Sequence, residues 1–195
     1  MLPKRRFGRN KLLLTLGNKR IIEHVIDNVK SSKIKDIYLV YGNDQGEFEE
    51  IGQSKGIKLI HNRDYHLGQS SSVKKGIELI GDRYRGAMFL LGDQPFISSK
   101  TINLLLENFI SNQKGIIVPS YQGKRGNPVI FSRDFFSAIK EIEGDRGARD
   151  IIKAHQDRTI YIPIKDKREN FDIDSEKDYH RALQIIKDYR GEGHC

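Results

Sequence analysis

The chain has 195 residues, of which 37% are hydrophobic and 31% are charged, a composition typical of a globular protein with a well-solvated surface. The 34 Lys and Arg outnumber the 26 Asp and Glu, and the net charge of +8 favours anionic partners. Because no aromatic residues are interleaved with the basic ones, phosphorylated small molecules are favoured over nucleic acid. The single cysteine, Cys195, excludes a disulfide framework and a thiolate metal site, and no apolar run has membrane-spanning length. We therefore expect a cytoplasmic protein without a membrane or nucleic-acid partner, with one domain over residues 1–195.

The first half of the sequence alternates helical and extended patterns. It begins with a basic segment, Met1–Lys11, and a short apolar one, Leu12–Leu16. The elements predicted next are a helix over Lys19–Ser31, a strand over Asp36–Tyr41, a strand over Ile57–His61, a helix over Gln69–Ile80 and a strand over Met88–Leu91. Such alternation predicts an α/β fold, with a mostly parallel sheet flanked by helices.

The most informative of these elements is the last strand. Ala87–Leu91 is a run of five apolar residues, which predicts a strand buried on both faces, and Gly92 and Asp93 follow it directly. Ligands of open α/β sheets bind beyond the carboxyl ends of the strands, so Asp93 is a candidate functional residue. The alternative is that Asp93 only stabilises a turn from strand to helix.

The second half begins with a helix that Ser98 and Ser99 open, with an apolar face that includes Leu105. A polar turn around Gly126 interrupts the alternation. The remaining predicted elements are strands over Gly115–Pro119, Val129–Phe131 and Thr159–Ile164, helices over Arg133–Lys140 and Arg146–His155, an extended piece at Phe171–Asp174 and a final helix that Ser175 caps and that runs to about Tyr189.

Three further polar segments are candidates for chemistry. Arg6–Lys11 contains Gly8 among cations and suits phosphate binding, although it could equally be a solvated tail. Gly68–Ser72 places three hydroxyl groups at a helix start, where they bind a ligand or merely cap the helix. Asp172 and Asp174 alternate along an extended piece, and Asp174 together with Asp93 would form the oxygen site that Mg²⁺ prefers, the alternative being a charged pair in a loop.

Taken together and in order, these segments closely resemble the molybdenum cofactor cytidylyltransferase branch of the MobA-like nucleotidyltransferase family. The resemblance covers nearly the whole chain. The matching motifs are Arg6-x-Gly8-x-x-Lys11, Gly68-Gln69-Ser70-Ser71-Ser72, Gly92-Asp93-Gln94-Pro95, Arg125-Gly126-Asn127-Pro128, Gly144-Asp145-Arg146-Gly147-Ala148-Arg149 and Asp172-Ile173-Asp174.

The resemblance implies a Rossmann-like nucleotidyltransferase fold, CTP and a molybdopterin-type phosphate as substrates, Mg²⁺ as cofactor and a molybdenum hydroxylase as a protein partner. By position, Asp93 and Asp174 match the metal-binding acids, and Lys11 and Asp93 the catalytic residues. The residues that match the nucleotide site are Arg6, Gly8, Lys11, Gly68, Gln69, Ser70, Ser71 and Ser72, and those on the pterin side are Arg125, Asn127, Arg146 and Arg149.

The amino terminus departs from the family pattern. Members begin with a hydrophobic strand and a glycine-rich loop before the lysine, whereas only Arg6-Phe7-Gly8-x-x-Lys11 precedes the apolar segment here. We therefore expect a gap or a substituted strand beside Met88–Leu91, in a shortened form of an active enzyme.

Three other functions remain open at this stage. One is nucleotidyl transfer to a sugar or polyol phosphate. Another is a non-catalytic protein that binds the molybdenum cofactor and delivers it to a molybdenum hydroxylase. A basic RNA-binding domain is the third, and it would show a steep dependence of affinity on salt.

Overall fold

A computed structural model describes residues 10–112, 115–144 and 148–191, with the side chains of 189–191 excepted. The helices are α1 (Ile21–Lys30), α2 (Gln45–Lys55), α3 (Gln69–Ile80), α4 (Ser99–Ser111), α5 (Phe136–Lys140), α6 (Arg149–Ala154) and α7 (Glu176–Gly191). The strands are β1 (Thr15–Leu16), β2 (Lys19–Arg20), β3 (Tyr38–Tyr41), β4 (Lys58–His61), β5 (Gly86–Phe89), β6 (Ile116–Tyr121), β7 (Lys124–Arg125), β8 (Val129–Ser132) and β9 (Thr159–Ile164). None of the helices within these ranges is long and apolar enough to cross a membrane.

The α/β class is confirmed, with helices packed against a central sheet. The sheet has two described parts. In one, β3 and β4 pair in parallel, and in the other the order is β5-β8-β6, with β9 parallel to β6 on its far edge. Strand β8 runs antiparallel between β5 and β6, so that β5, β6 and β9 share one direction.

Alternate residues of β5 face opposite layers of the core, as the two-residue period of a strand requires. Ala87 and Phe89 pack with Ile77 of α3 in one hydrophobic cluster. Met88 packs on the other side, in a cluster with Val25 and Val29 of α1. Helices therefore cover both faces of this strand.

A cavity of about 510 Å³ separates β3 from β5. Among the described strands, β3 pairs only with β4 and β5 only with β8, so one edge of each faces this cavity without a ladder partner. We call this cavity the central slot. It lies beside the strand that contains Met88, which is where the sequence analysis expects a gap in the sheet.

The slot changes the burial of the run at Ala87–Leu91. Although the sequence predicts a strand buried on both faces, every residue of the run is only half-buried, and the ladder ends at Phe89. A second difference concerns α1, which begins at Ile21 because Lys19 and Arg20 pair with Thr15–Leu16 across a turn at Gly17 (φ 70°).

Candidate active site

Lys11, Asp93 and Asp174 meet at the carboxyl ends of the central strands. The Lys11 Nζ donates to Asp93 Oδ2 at 2.5 Å and to Asp174 Oδ1 at 2.8 Å. Lys11 and Asp93 are 82 positions apart in sequence, and Lys11 and Asp174 are 163 apart. The two acids that the sequence analysis pairs as metal ligands, Asp93 and Asp174, thus both contact Lys11, the lysine that it assigns to catalysis.

Local hydrogen bonds hold Lys11 in place. It begins a short 3₁₀ helix, Lys11–Leu13, which Asn10 caps by accepting the Leu12 N–H at 3.1 Å. The Asn10 amide also donates to Asp44 Oδ2 at 2.8 Å, just beyond the end of β3. Asn10 therefore ties the lysine to the β3 side of the sheet.

The carboxyl-terminal acidic segment is docked on the loop that follows β5. The Ile173 N–H donates to the carbonyl of Asp93 at 3.1 Å, and the Ile173 side chain is fully buried. Next to it, the buried Gln94 amide donates to Asp172 Oδ1 at 2.8 Å. These two contacts set the position of Asp174 beside Asp93. Gln94 is a positioning residue, a role that its place in the Gly92-Asp93-Gln94-Pro95 motif does not reveal.

Burial and the charges of the neighbouring groups together set the protonation of this cluster. Partial burial by itself would lower the pKa of the Lys11 ammonium, but the charge of Asp93 and the hydrogen bonds to both carboxylates outweigh burial and raise that pKa above its ordinary value. Burial raises the pKa of the Asp172 carboxyl, the Gln94 hydrogen bond opposes this rise, and the charges of Asp93 and Asp174 add to it. Lys11 is therefore a fixed cation at neutral pH.

The donor set is suited to a hard divalent cation. Two carboxylates already converge on one positive charge, and such oxygens are the ligands that Mg²⁺ and Mn²⁺ prefer. Within the described ranges, no group of three or more His, Cys, Asp or Glu side chains is arranged to hold a metal ion. A pair of carboxylates fits a Mg²⁺ site of the kind completed by water and substrate phosphates.

The Gly68–Ser72 segment begins α3, with Gly68 in a conformation that favours glycine (φ 98°). The Asn62 amide, buried at the end of β4, donates to the hydroxyl oxygens of Ser71 at 2.9 Å and Ser72 at 3.0 Å. Ser70 is itself buried. Two of the three hydroxyl groups thus also organise the loop internally, through an asparagine that the sequence analysis does not single out.

The same segment reaches the neighbourhood of the acidic pair. Gln69 and Ser72 line the central slot together with Leu12 and Gly92, the chain neighbours of Lys11 and Asp93. The predicted nucleotide segment and the chain neighbours of the two predicted catalytic residues therefore border one cavity.

Residues predicted to contact the pterin substrate lie in two places. Arg125 and Arg149 line a second cavity, of about 550 Å³, which Lys153 and Tyr161 also line. The Asn127 N–H donates to Asn170 Oδ1 at 3.3 Å, and this contact joins Asn127 to the chain leading into the acidic segment. The structure therefore brings the two arginines together. Arg6, Gly8 and Arg146, also predicted as site residues, lie outside the described residues.

Comparison with known proteins identifies the family. A family model described as the MobA-like NTP transferase domain matches residues 5–159. The purine catabolism protein PucB of Bacillus subtilis is 30% identical over 193 residues, which cover 93% of this chain and 92% of PucB.

Solved structures agree with this assignment. The homologue of Mycobacterium tuberculosis Rv0371c from Mycobacterium sp. strain JC1 superposes with a TM-score of 0.82 at 26% identity, over 94% of this chain and 91% of its own. Rv0371c of M. tuberculosis H37Rv in complex with manganese has the same fold, with a TM-score of 0.76 at 20% identity over 91% of this chain and 93% of its own. This chain belongs to the MobA-like NTP transferase family and is a nucleotidyltransferase with a Rossmann-like α/β fold.

Proposed function

We propose that the protein is a Mg²⁺-dependent CTP:molybdopterin cytidylyltransferase. The observation that carries the proposal is the convergence of Asp93 and Asp174 on Lys11, since nucleotidyl transfer needs a divalent cation and an additional positive charge at one place. The manganese complex of the mycobacterial relative supports a divalent metal. The choice of CTP and molybdopterin rests on the resemblance of the motifs around Asp93, Asn127 and Arg149 to that branch of the family.

In this reaction a phosphate oxygen of the acceptor forms a bond to the α-phosphorus of the nucleotide. The bond from that phosphorus to the oxygen bridging the α- and β-phosphates breaks, and pyrophosphate leaves with the electron pair. The attacking oxygen is already anionic, so no protein base is needed. The protein has to align the groups and neutralise the developing charge.

Five of the described site residues have a part in this scheme. Asp93 and Asp174 would hold the divalent cation, which when bound neutralises charge on the phosphates. Lys11 remains protonated because its pKa is raised, and it stabilises the charge of the leaving pyrophosphate. Arg125 and Arg149 would bind the anionic acceptor in the cavity that they share.

A pyrophosphate-release assay tests the proposal. The chain is incubated with Mg²⁺, one of the four ribonucleoside triphosphates, and either molybdopterin or a sugar or polyol phosphate. We expect release only with CTP and molybdopterin together, and we expect Asp93→Asn to abolish it. Lys58→Met, which removes an exposed lysine paired with Asp36, is the matched control and should react normally. Release with a sugar phosphate but not with molybdopterin would assign the protein to the other transferase class.

A second function, non-catalytic binding of the molybdenum cofactor for delivery to a molybdenum hydroxylase, is favoured by one observation. Arg125, Arg149 and Lys153 line a cavity of their own, with Tyr161 beside them. Calorimetry separates the two functions, because a delivery protein would bind molybdopterin without binding CTP. Binding of both ligands, with turnover, would exclude it.

A further inference from the structure

Asn62 lies between the ends of two strands and the start of α3. It follows β4 directly, its N–H donates to the carbonyl of Tyr41 at the end of β3 at 2.8 Å, and it is only 1% exposed. A buried side-chain amide needs a partner for its oxygen and for its nitrogen, because an unsatisfied polar group destabilises the fold. The partners of the Asn62 amide therefore determine what this residue does.

The orientation of the Asn62 amide follows from its neighbours. The backbone N–H of Asp64 can only donate, and it lies 3.1 Å from Asn62 Oδ1. The amide nitrogen therefore faces the other way, where it donates to Ser71 Oγ at 2.9 Å and to Ser72 Oγ at 3.0 Å. Since this nitrogen has two protons, each serine receives one of them.

The two serines differ in where their own hydroxyl protons can go. Ser71 accepts from Asn62 and donates to the carbonyl of Gly68 at 2.8 Å, so both sides of its hydroxyl are used within the loop. Ser72 also accepts from Asn62, but its hydroxyl donates to no other residue in the described ranges. A hydroxyl that receives a hydrogen bond points its own proton away from the donor. The Ser72 O–H is thus turned away from Asn62.

Ser72 belongs to the wall of the central slot. It lines this cavity from the start of α3 and is half-buried. Leu12, next to Lys11, and Gly92, next to Asp93, line the same cavity. A hydroxyl proton at this wall can therefore reach a hydrogen-bond acceptor of a ligand that extends to the acidic pair, and the phosphate and base oxygens of a nucleotide are such acceptors.

This arrangement distinguishes three hydroxyl groups that the sequence leaves equivalent. Ser70 is 3% exposed and Ser71 donates within the loop, and neither lines the slot. Ser72 lines the slot and keeps its proton available. The hydrogen bonds around Asn62 thus leave one of the three to act on a ligand.

We propose that Asn62 is a positioning residue for nucleotide binding, which fixes the Ser72 hydroxyl as a hydrogen-bond donor to the nucleoside triphosphate. The Asn62 amide occupies the side of Ser72 Oγ that faces the protein interior and leaves the O–H directed away from it. This donor is set before the ligand arrives, so binding does not have to restrict its rotation. The inference rests on the proposed function in taking a triphosphate as the ligand, and it applies to any of the four bases.

Calorimetric titration of the full chain with a triphosphate and Mg²⁺, without an acceptor, tests the proposal. The probe is whichever of the four ribonucleoside triphosphates the unchanged chain binds most tightly, so the result does not depend on CTP, on molybdopterin or on turnover. We expect Ser72→Ala to weaken binding about tenfold, and Ser72→Thr, which keeps the hydroxyl, to restore most of the affinity. Ser54→Ala removes a hydroxyl that donates to the Ile51 carbonyl in α2, and it should bind normally. Equal affinity of Ser72→Ala and the unchanged chain would overturn the proposal.

An Asn62→Asp variant separates positioning from a purely structural role. Aspartate keeps an oxygen for the Asp64 N–H but accepts from both serines, which turns the Ser72 proton back towards the interior. We expect Asn62→Asp to weaken binding at least about tenfold alone, but no more than about threefold in the Ser72→Ala background, where the hydroxyl is missing. The thermal midpoint without ligand should fall in both backgrounds, because the buried charge is unfavourable in each. Losses of affinity that multiply in the double variant would contradict the proposal.

Two further variants complete the test. Asn62→Ala repeats the cycle without a buried charge, in case the aspartate variant does not fold. It frees the Ser72 hydroxyl to rotate, so binding should weaken alone but not further in the Ser72→Ala background. Asn108→Asp is the control for the change of amide to carboxylate, since Asn108 donates to the Leu104 carbonyl on α4 and does not line the slot, and it should bind the triphosphate normally. An effect of Asn62→Ala that persists in full without the Ser72 hydroxyl would overturn the proposal.

Discussion

Replacement of Lys11 by methionine removes the one positive charge that both acids share, while keeping most of the aliphatic length of the side chain. In the present structure Lys11 donates to Asp93 at 2.5 Å and to Asp174 at 2.8 Å. The side chains of Lys11, Asp93 and Asp174 are 29%, 20% and 62% exposed. The variant therefore loses one half-buried ion pair and one exposed one.

The two ion pairs contribute unequally to stability. The bond to the half-buried Asp93 contributes about 1.5 kcal/mol, at the lower end for a charged hydrogen bond. The exposed Asp174 adds about 0.5 kcal/mol or less because water screens it. A loss of about 2 kcal/mol lowers the unfolding midpoint by about 4–8 °C for a chain of this length. Since the pKa of Lys11 is raised, this stabilisation is fully present below its ordinary pKa of 10.5 and is lost as the pH rises through the higher folded-state value.

Divalent metal reverses part of this loss, because Lys11 and the metal compete for the same oxygens. In the unchanged protein, metal binding has to break the Lys11 ion pairs, which costs about 2 kcal/mol. Lys11→Met removes this cost, so its affinity for Mn²⁺ should be up to about 30-fold higher. Thermal unfolding with increasing Mn²⁺ measures both effects. The midpoint of Lys11→Met should start lower than that of the unchanged protein and rise further. Nucleotidyl transfer should nevertheless fall at least about 100-fold, because the leaving pyrophosphate loses its cation.

Lys19→Met is the matched control for the metal titration. Lys19 is also a partly exposed lysine, paired with Asp27 at 2.6 Å, and Asp27 keeps a second partner in Lys55. This variant should respond to Mn²⁺ exactly as the unchanged protein does. If Mn²⁺ raises the midpoint of Lys11→Met no more than that of the Lys19→Met control, Asp93 and Asp174 do not hold the metal and the proposed chemistry fails.

Three further substitutions test other parts of the structure. Burial raises the pKa of the Glu169 carboxyl, which accepts hydrogen bonds from Ser98. Because the charged form is the less favourable one in the folded protein, the free energy of unfolding should fall as the pH rises above about 4.5. Glu169→Gln should lose this dependence, as measured by urea titrations at a series of pH values. Gln94→Leu leaves the half-buried Asp172 without its donor and should cost about 1–3 kcal/mol in chemical unfolding, with weaker Mn²⁺ binding. Leu105→Ala opens a cavity at a fully buried position of α4 and should cost about 2–5 kcal/mol in the same assay, without affecting the metal.

Local patterns in the sequence predicted the helices well. The apolar spacing of Val25 and Val29 in α1 places them in the core, and Ser98 caps α4 by accepting the Thr101 N–H as its position predicts. These features depend on residues three or four positions apart, so a short window of sequence contains the information. The pairing of Asp93 with Asp174 was expected from the preference of Mg²⁺ for carboxylate oxygens and from the resemblance to a family, since no local pattern relates residues so far apart.

Only the tertiary structure decided how the strands are ordered and what is left open between them. The insertion of β8 between β5 and β6 depends on pairing between distant segments, and a hydrophobic run such as Val129–Phe131 does not specify its neighbours. The same holds for Asn62 and Gln94, whose roles depend on side-chain hydrogen bonds that no sequence pattern specifies. The run around Met88 has the composition of a fully buried strand, yet it is half-buried because burial depends on neighbours that other segments must supply.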